Sequence, residues 1–211
     1  MNDLMDLHTH TIASGHAYST LSENIRAAAD AGLALYGCSD HAPKMAGTTH
    51  SSYFINFKVI PRVRGGVHVL MGAELNILDS SGAVDLPPSI LGKLDYAIAS
   101  LHTPCFVPGT MEENTQAYVN AMKNPAVTII GHPDDGRYPV DYETFVKGAK
   151  TYKKLVEVNS SSLSPRSVRK GAAENYQVLL KYCREYQVPI IIGSDAHFES
   201  DVGNHRCAWE L

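Results

Sequence analysis

The stretch from Leu4 to His16 reads LMDLHTHTIASGH, a short apolar segment followed closely by three histidines. The segment Leu4–Leu7 has the length and apolar character of a buried strand. His8 and His10 follow it two residues apart, and alternate residues of an extended chain point to the same side. Two imidazoles on one side of a strand end can bind a single metal ion. The stretch therefore predicts a strand with a metal site at its carboxyl end.

Six further apolar runs follow, rich in Val, Ile and Leu and apolar on both faces, as expected for parallel strands covered on both sides. They lie at Leu35–Cys38, Val67–Ala73, Tyr96–Leu101, Val127–Ile130, Leu155–Val158 and Pro189–Ile192. Helical patterns lie between them at Ser22–Ala31, Asn114–Met122, Tyr142–Tyr152 and Ala172–Tyr186. We expect Ser22 to be the N-cap of the first helix and Gly32 to end it. This alternation predicts an α/β fold with a parallel sheet, either open and doubly wound or closed into a barrel.

The composition is that of one folded domain, which we place at residues 1–211. Of the 211 residues, 44% are hydrophobic and 19% are charged, which excludes a disordered chain. The net charge of −4 and the lack of a basic tract disfavour nucleic acid as a partner. The four cysteines form no C-x-x-C pair, and no signal peptide or membrane-spanning run is visible. We therefore expect a cytoplasmic protein without a membrane partner.

Each predicted strand is followed by side chains capable of metal or substrate chemistry. In chain order they are His8 and His10, Asp40 and His41, Glu74, His102, His132, Asn159, and Asp195 and His197. The carboxyl ends of parallel strands meet at one end of a sheet or barrel, where functional side chains gather. Imidazole and carboxylate are ligands for zinc, manganese and iron. A lone histidine is more often structural, but this recurrence in step with the strands indicates one shared metal centre.

The motifs DLHTHT, SDH, GAEL, LHTP, GHP and GSDAH, in this order, resemble those of the PHP superfamily of polymerase and histidinol phosphatase domains. The longer segments DLHTHTIASGHAYSTLSENI, NFKVIPRV, GAELNI and VNSSSL, followed by RKG, are similar to the YcdX-like phosphatase branch. The resemblance covers nearly the whole chain. It implies a distorted (βα)7 TIM-like barrel that binds three divalent ions, Zn²⁺ or Mn²⁺, with iron as a further candidate. Only 14 residues follow His197, fewer than is usual in this branch, so we expect a shortened C-terminal part.

The resemblance also implies nine metal ligands, all of which are occupied by ligand-competent residues in this chain. The first ion would be bound by His8, His10 and Asp195, and Glu74 would bridge it to the second. The second ion would be completed by His102 and His132. The third would be bound by His16, His41 and His197.

Glu74, Asp195 and Arg169 are the candidates for catalysis. The two carboxylates would hold ions that activate water, so that a metal-bridging hydroxide is the expected nucleophile. Arg169 is a candidate phosphate clamp, because a guanidinium binds phosphate through two parallel hydrogen bonds. Arg166 and Lys170 compete with it for this role.

Other polar residues are assigned to supporting roles or left out of the site. We expect Asp40 to orient a ligand. Asn159 is either a substrate or water contact or a structural residue at a strand end. His50, His68 and His205 match no family position, and we exclude them as metal ligands.

Together these features predict a phosphatase that hydrolyses small phosphate monoesters. Three alternatives stay open: a phosphodiesterase of the 3'-5' exonuclease type, a histidinol phosphate phosphatase, and a regulatory metal-binding domain without catalysis. The acidic charge balance disfavours the first, the HAYST segment the second, and the complete ligand set the third. The resemblance makes a homo-oligomer, such as a trimer, a candidate assembly.

Overall fold

The computed structural model describes residues 4–211. The strands are β1 Met5–Asp6, β2 Leu35–Cys38, β3 Val63–Arg64, β4 Val67–Met71, β5 Ala73–Asn76, β6 Ala97–Ser100, β7 Ile129–Ile130, β8 Leu155–Asn159 and β9 Ile190–Gly193. The α-helices are α1 Leu21–Asp30, α2 Ser51–Ile55, α3 Pro88–Leu91, α4 Met111–Met122, α5 Tyr142–Thr151, α6 Ala172–Tyr186 and α7 Arg206–Trp209. Short 3₁₀ helices lie at Ile12–Ser14, Asn56–Val59, Ser161–Leu163 and Glu199–Asp201.

Two sheets form the framework, in the order β1-β2-β4-β3 and β5-β6-β7-β8-β9. All pairs are parallel except the β3–β4 hairpin. Isolated parallel bridges join the two sheets, between His41 and Glu74 and between Thr9 and Ala196. When β4 and β5 are counted as one bent strand, seven parallel strands therefore follow one another around a distorted TIM-like barrel, which confirms the predicted fold class. The distortion lies at the two junctions, where continuous strand pairing is reduced to a single bridge.

The predicted third strand, Val67–Ala73, is divided at Gly72 into β4 and β5, which belong to different sheets. A Cβ atom at Gly72 would lie 2.6 Å from Cε1 of Tyr96, so the close approach of this ring requires glycine. The bend carries the chain from one sheet to the other and places Glu74 at the junction.

The N-cap of α1 differs from the prediction, because the helix begins at Leu21 after Thr20 and not at Ser22. The Thr20 hydroxyl accepts a hydrogen bond from the amide of Glu23, whose carboxylate accepts one from the amide of Thr20 at 2.7 Å. This reciprocal capping box satisfies two backbone donors, whereas a serine one position later could satisfy only one. Ser22 lies in the first turn and accepts a hydrogen bond from Arg64.

Successive residues of the barrel strands pack into two separate hydrophobic clusters, one on each face of the sheet. In β6, Ala97 and Ala99 belong to the main hydrophobic core, whereas Ile98 packs with Leu7 and Ile129 in a second buried cluster. Successive residues of a strand face opposite sides, so this second cluster lies on the other face of the sheet. No helix within residues 4–211 is both long and apolar enough to cross a lipid bilayer.

Candidate metal centre

A buried carboxylate, Glu74 of β5, lies at the centre of the polar cluster and is 1% exposed. Its Oε1 atom is 2.8 Å from Nε2 of His132 and 3.2 Å from Nε2 of His102. These histidines follow β7 and β6, so neighbouring strands of one sheet deliver both imidazoles to the same oxygen.

The other oxygen of Glu74 faces a different group of histidines. Its Oε2 atom is 2.8 Å from Nδ1 of His41, 3.4 Å from Nε2 of His8 and 3.5 Å from Nε2 of His10. These residues follow β1 and β2 of the first sheet. One carboxylate at the junction of the sheets therefore contacts imidazoles from both.

Asp195 follows β9 and adds a second buried carboxylate beside His8 and His10. Its Oδ1 atom is 3.2 Å from Nε2 of His10 and 3.5 Å from Nε2 of His8. Its Oδ2 atom accepts hydrogen bonds from Arg169 at 3.1 Å and from Asn159 at 3.2 Å. The backbone amide of Asp195 donates to the carbonyl of His8 at 2.8 Å, which ties the two strand ends together.

The rings of His16, His41 and His197 form a third group, in which His41 is buried, His197 is half-buried and His16 is exposed. The His16 ring centroid is 4.9 Å from that of His41 and 4.8 Å from that of His197. The loop that carries His16 turns at Gly15, where φ is 77°. A side chain at Gly15 would collide with the carbonyl of Gly47, so the contact between these two loops needs glycine there.

Four buried atoms of the cluster make no hydrogen bond with the described residues: His8 Nε2, His10 Nε2, His41 Nδ1 and Glu74 Oε2. A buried polar atom without a partner destabilises a protein by about 1–3 kcal/mol. Four such atoms in one place are explained by divalent cations, which accept imidazole and carboxylate lone pairs alike. Three overlapping sets have donor atoms within 4.8 Å of one another: His10, His41 and His197; His8, His10 and Glu74; and His41, Glu74 and His102. The residues therefore fit divalent transition-metal ions.

The electrostatics of the cluster keep the acidic groups ionised. Burial alone raises the pKa of Glu74, but His102, His8 and His41 together hold it well below its usual value. The pKa of His10 is lowered well below its usual value by burial and by the neighbouring His197 and His41. Ionised carboxylates and neutral imidazoles are the forms that bind metal ions.

Comparison with known proteins identifies the family. A PHP-associated family model matches residues 175–209. A probable phosphatase of Thermoanaerobacter sp. (strain X514) is 51% identical over 212 aligned residues, which cover 100% of this chain and 86% of the relative. This chain belongs to the PHP phosphatase family.

Two solved structures share the PHP fold. A candidate histidinol phosphatase from Listeria monocytogenes has a TM-score of 0.70 and 17% identity, and the match covers 97% of this chain and 99% of that one. A histidinol phosphate phosphatase from Lactococcus lactis, in complex with zinc, L-histidinol and phosphate, has a TM-score of 0.64 and 15% identity, with 98% and 92% covered. At these identities the two structures show the fold alone.

Four histidines of this PHP protein share one pattern, in which Nδ1 faces an oxygen and Nε2 is left to bind a metal ion. The facing oxygens belong to Glu157 for His8, Ser14 for His10, Asn76 for His102 and the Asp195 carbonyl for His197. Such contacts orient a metal-binding imidazole and select its tautomer. Glu157, Ser14 and Asn76 were not predicted from the sequence. Asn76 could have been found, because it follows Glu74 by two residues and therefore lies on the same side of β5.

Asp40 contacts Ser14 beside the PHP site and makes no hydrogen bond with the ring of the adjacent His41. The Ser14 hydroxyl donates to Asp40 at 2.7 Å, lies 3.0 Å from Nδ1 of His10, and accepts from the amide of His41 at 3.1 Å. Asp40 also accepts a hydrogen bond from Tyr53 at 2.7 Å. These contacts place Asp40 on the Nδ1 side of His10, with Ser14 between them, which is the position that the predicted orienting role requires.

Of the three basic candidates for a phosphate clamp, only Arg169 contacts a residue of the candidate metal centre. Its guanidinium donates to Ser162 at 2.9 Å, to Asn159 at 3.2 Å and to Asp195 at 3.1 Å. Arg166 is 83% exposed and lies 3.6 Å from Asp201, and Lys170 is exposed.

The three excluded histidines lie outside the donor sets, which also omit His16, His132 and Asp195 of the predicted ligands. His50 is the exposed residue before α2, and His68 is exposed in β4. His205 is buried, with its Nε2 atom 3.6 Å from the Asp6 carboxylate.

Proposed function

We propose that this protein hydrolyses small phosphate monoesters at a centre of three divalent ions, Zn²⁺ or Mn²⁺. The observation that carries this proposal is the position of Glu74, whose two carboxylate oxygens face separate groups of imidazoles. A carboxylate in this position can bridge two ions, and such metal pairs are used in phosphoester hydrolysis.

Nine residues would hold the ions. His8, His10 and Asp195 would bind the first, with Glu74 shared between the first and the second. His102 and His132 would complete the second, and His16, His41 and His197 would bind the third. The ring contacts of His16 with His41 and His197 support the third group. His41 also contacts Glu74, and its assignment to the third ion follows the family pattern.

When bound, the ions supply Lewis acidity and lower the pKa of coordinated water to about 7, so that hydroxide is available at neutral pH. The chain itself supplies binding and orientation. Arg169 is held by Ser162 and Asn159 beside Asp195, where its remaining donors can bind phosphate oxygens and offset the charge that develops in the transition state. The L-histidinol and phosphate bound to the Lactococcus lactis protein support a small phosphorylated substrate here.

The substrate class is tested with metal-loaded protein on p-nitrophenyl phosphate, bis-p-nitrophenyl phosphate and single-stranded DNA. We expect the monoester to be hydrolysed fastest and chelator-treated protein to be inactive. Faster hydrolysis of the diester or of DNA would favour the exonuclease alternative, and a strong preference for histidinol phosphate would favour the narrower phosphatase. Metal-loaded protein that hydrolyses none of these substrates would contradict the proposal.

His16→Ala is expected to release one ion selectively. The substitution leaves two imidazoles at the third position, and losing even a supporting group weakens metal binding about 10–100-fold. Activity should fall strongly and recover in part at high Mn²⁺ or Zn²⁺, because mass action refills a weakened site. Anomalous diffraction would identify the emptied position, with the exposed loop variant His50→Ala as control. Full occupancy of all three positions in His16→Ala would show that His16 is only a loop residue.

A further inference from the structure

Glu157 is a buried acid in the middle of strand β8, whose other residues are apolar except Asn159, and it is 1% exposed. Its Oε1 atom is 2.6 Å from Nδ1 of His8. Its Oε2 atom accepts hydrogen bonds from the backbone amide of His132 at 2.7 Å and from Asn159 at 3.3 Å. Both oxygens are thus occupied by groups of the chain, and one carboxylate connects two metal-ligand candidates that are far apart in sequence.

The contact with Glu157 determines how His8 presents its ring. An ionised carboxylate can only accept hydrogen bonds, so Nδ1 of His8 must carry the proton. Nε2 then keeps its lone pair, on the side where Glu74 and Asp195 lie at 3.4 Å and 3.5 Å. A hydrogen bond from the ring of a metal-binding histidine to a carboxylate orients the ring and makes the free nitrogen a stronger metal ligand.

The contact with Glu157 also fixes the backbone of His132. This residue has a φ of 27°, a conformation that residues other than glycine rarely adopt. Such backbone strain persists only where the surroundings enforce it. The hydrogen bond from the His132 amide to Glu157 is one such restraint, and it leaves the ring Nε2 2.8 Å from Glu74.

Gly193 of β9 makes room for this arrangement. A Cβ atom at Gly193 would lie 2.8 Å from Cβ of His8 and would collide with Oε1 of Glu157. The glycine that precedes Ser194 and Asp195 is therefore required by the packing of Glu157 against His8.

We propose that Glu157 is a positioning residue that holds His8 and His132 in one hydrogen-bonded unit and so couples the binding of two ions. Glu157 binds no ion itself. The inference rests on the proposed metal centre, in which His8 belongs to the first ion and His132 to the second.

Glu157→Gln is the most specific variant for testing this proposal, because it preserves the shape of the side chain and removes one of its two hydrogen-bond acceptors. Glutamine offers one carbonyl oxygen and one amide group. The position needs acceptors on both sides, so the new amide group would face either Nδ1–H of His8 or the amide of His132. We expect the affinity for both the first and the second ion to fall about 10–100-fold, with the third ion retained.

Gly193→Ala disturbs the same unit without changing its chemistry. Its methyl group should displace the Glu157 carboxylate from His8, so the two ions should again weaken together. Gly92→Ala is the matched control, because a Cβ atom there would meet only the Pro88 carbonyl at an ordinary 3.6 Å. The two glycine variants keep the test decisive if Glu157→Gln does not fold.

The experiment is Mn²⁺ and Zn²⁺ titration calorimetry with elemental analysis after dialysis, together with circular dichroism to verify folding. Joint loss of two ions in Glu157→Gln and Gly193→Ala, with full binding in Gly92→Ala, would confirm the coupling. Loss of one ion, or wild-type affinity for all three, would overturn it while leaving the proposed function intact. A wild-type protein that binds one ion or none would overturn both.

Discussion

Glu74→Gln is expected to lower kcat for phosphate monoester hydrolysis by about 100-fold or more. Loss of a group that merely supports a ligand weakens metal binding about 10–100-fold, and Glu74 contacts two groups of imidazoles directly. The substituted amide keeps one oxygen, so one of the groups would face an amide nitrogen that cannot bind a cation. Two ions should therefore be disturbed together, which steady-state kinetics and metal analysis of the same preparation would detect.

The matched control for Glu74→Gln is His68→Gln, a change of an exposed side chain in β4 of the same bent strand. This control should keep wild-type turnover and metal content. Circular dichroism should show that both variants are folded. Near-wild-type turnover in folded Glu74→Gln would rule out the bridging role.

Arg169→Ala is expected to lower kcat/KM by about 100–1000-fold, the usual effect of removing a donor that stabilises transition-state charge. Arg169→Lys should recover only part of this loss, because an ammonium cannot form two parallel hydrogen bonds with phosphate. Metal content should be measured in both variants, since Arg169 also contacts Asp195. Arg166→Ala, at a position that is 83% exposed, is the control. An unchanged kcat/KM in Arg169→Ala would exclude the phosphate clamp.

The barrel strands were predictable because their signal is local. Strands such as Leu35–Cys38 are short apolar runs, and the residues at which they end can be identified directly in the sequence. The β3–β4 hairpin and the four- or five-residue helices α2, α3 and α7 were not predicted. Elements this short contain about one helical turn, which is too little for the hydrophobic periodicity to emerge.

The ligand candidates at the strand ends were predictable from position, whereas the groups that orient them were not. The contact between His8 and Glu157 spans 149 residues, and only the fold reveals it. One signal was present: Glu157 is an acid inside the apolar run LVEV, and a buried charge requires a partner. Pairing that acid with His8 required the position of β9, whose Gly193 leaves the space between them.

Metal content is the most direct test of the three-ion centre. Elemental analysis of protein reconstituted with Zn²⁺ or Mn²⁺, with anomalous diffraction to locate the ions, should give close to three ions per chain. One of them should lie on each oxygen of Glu74 and the third beside His16. A consistent value of one ion or fewer per chain after reconstitution would contradict the account.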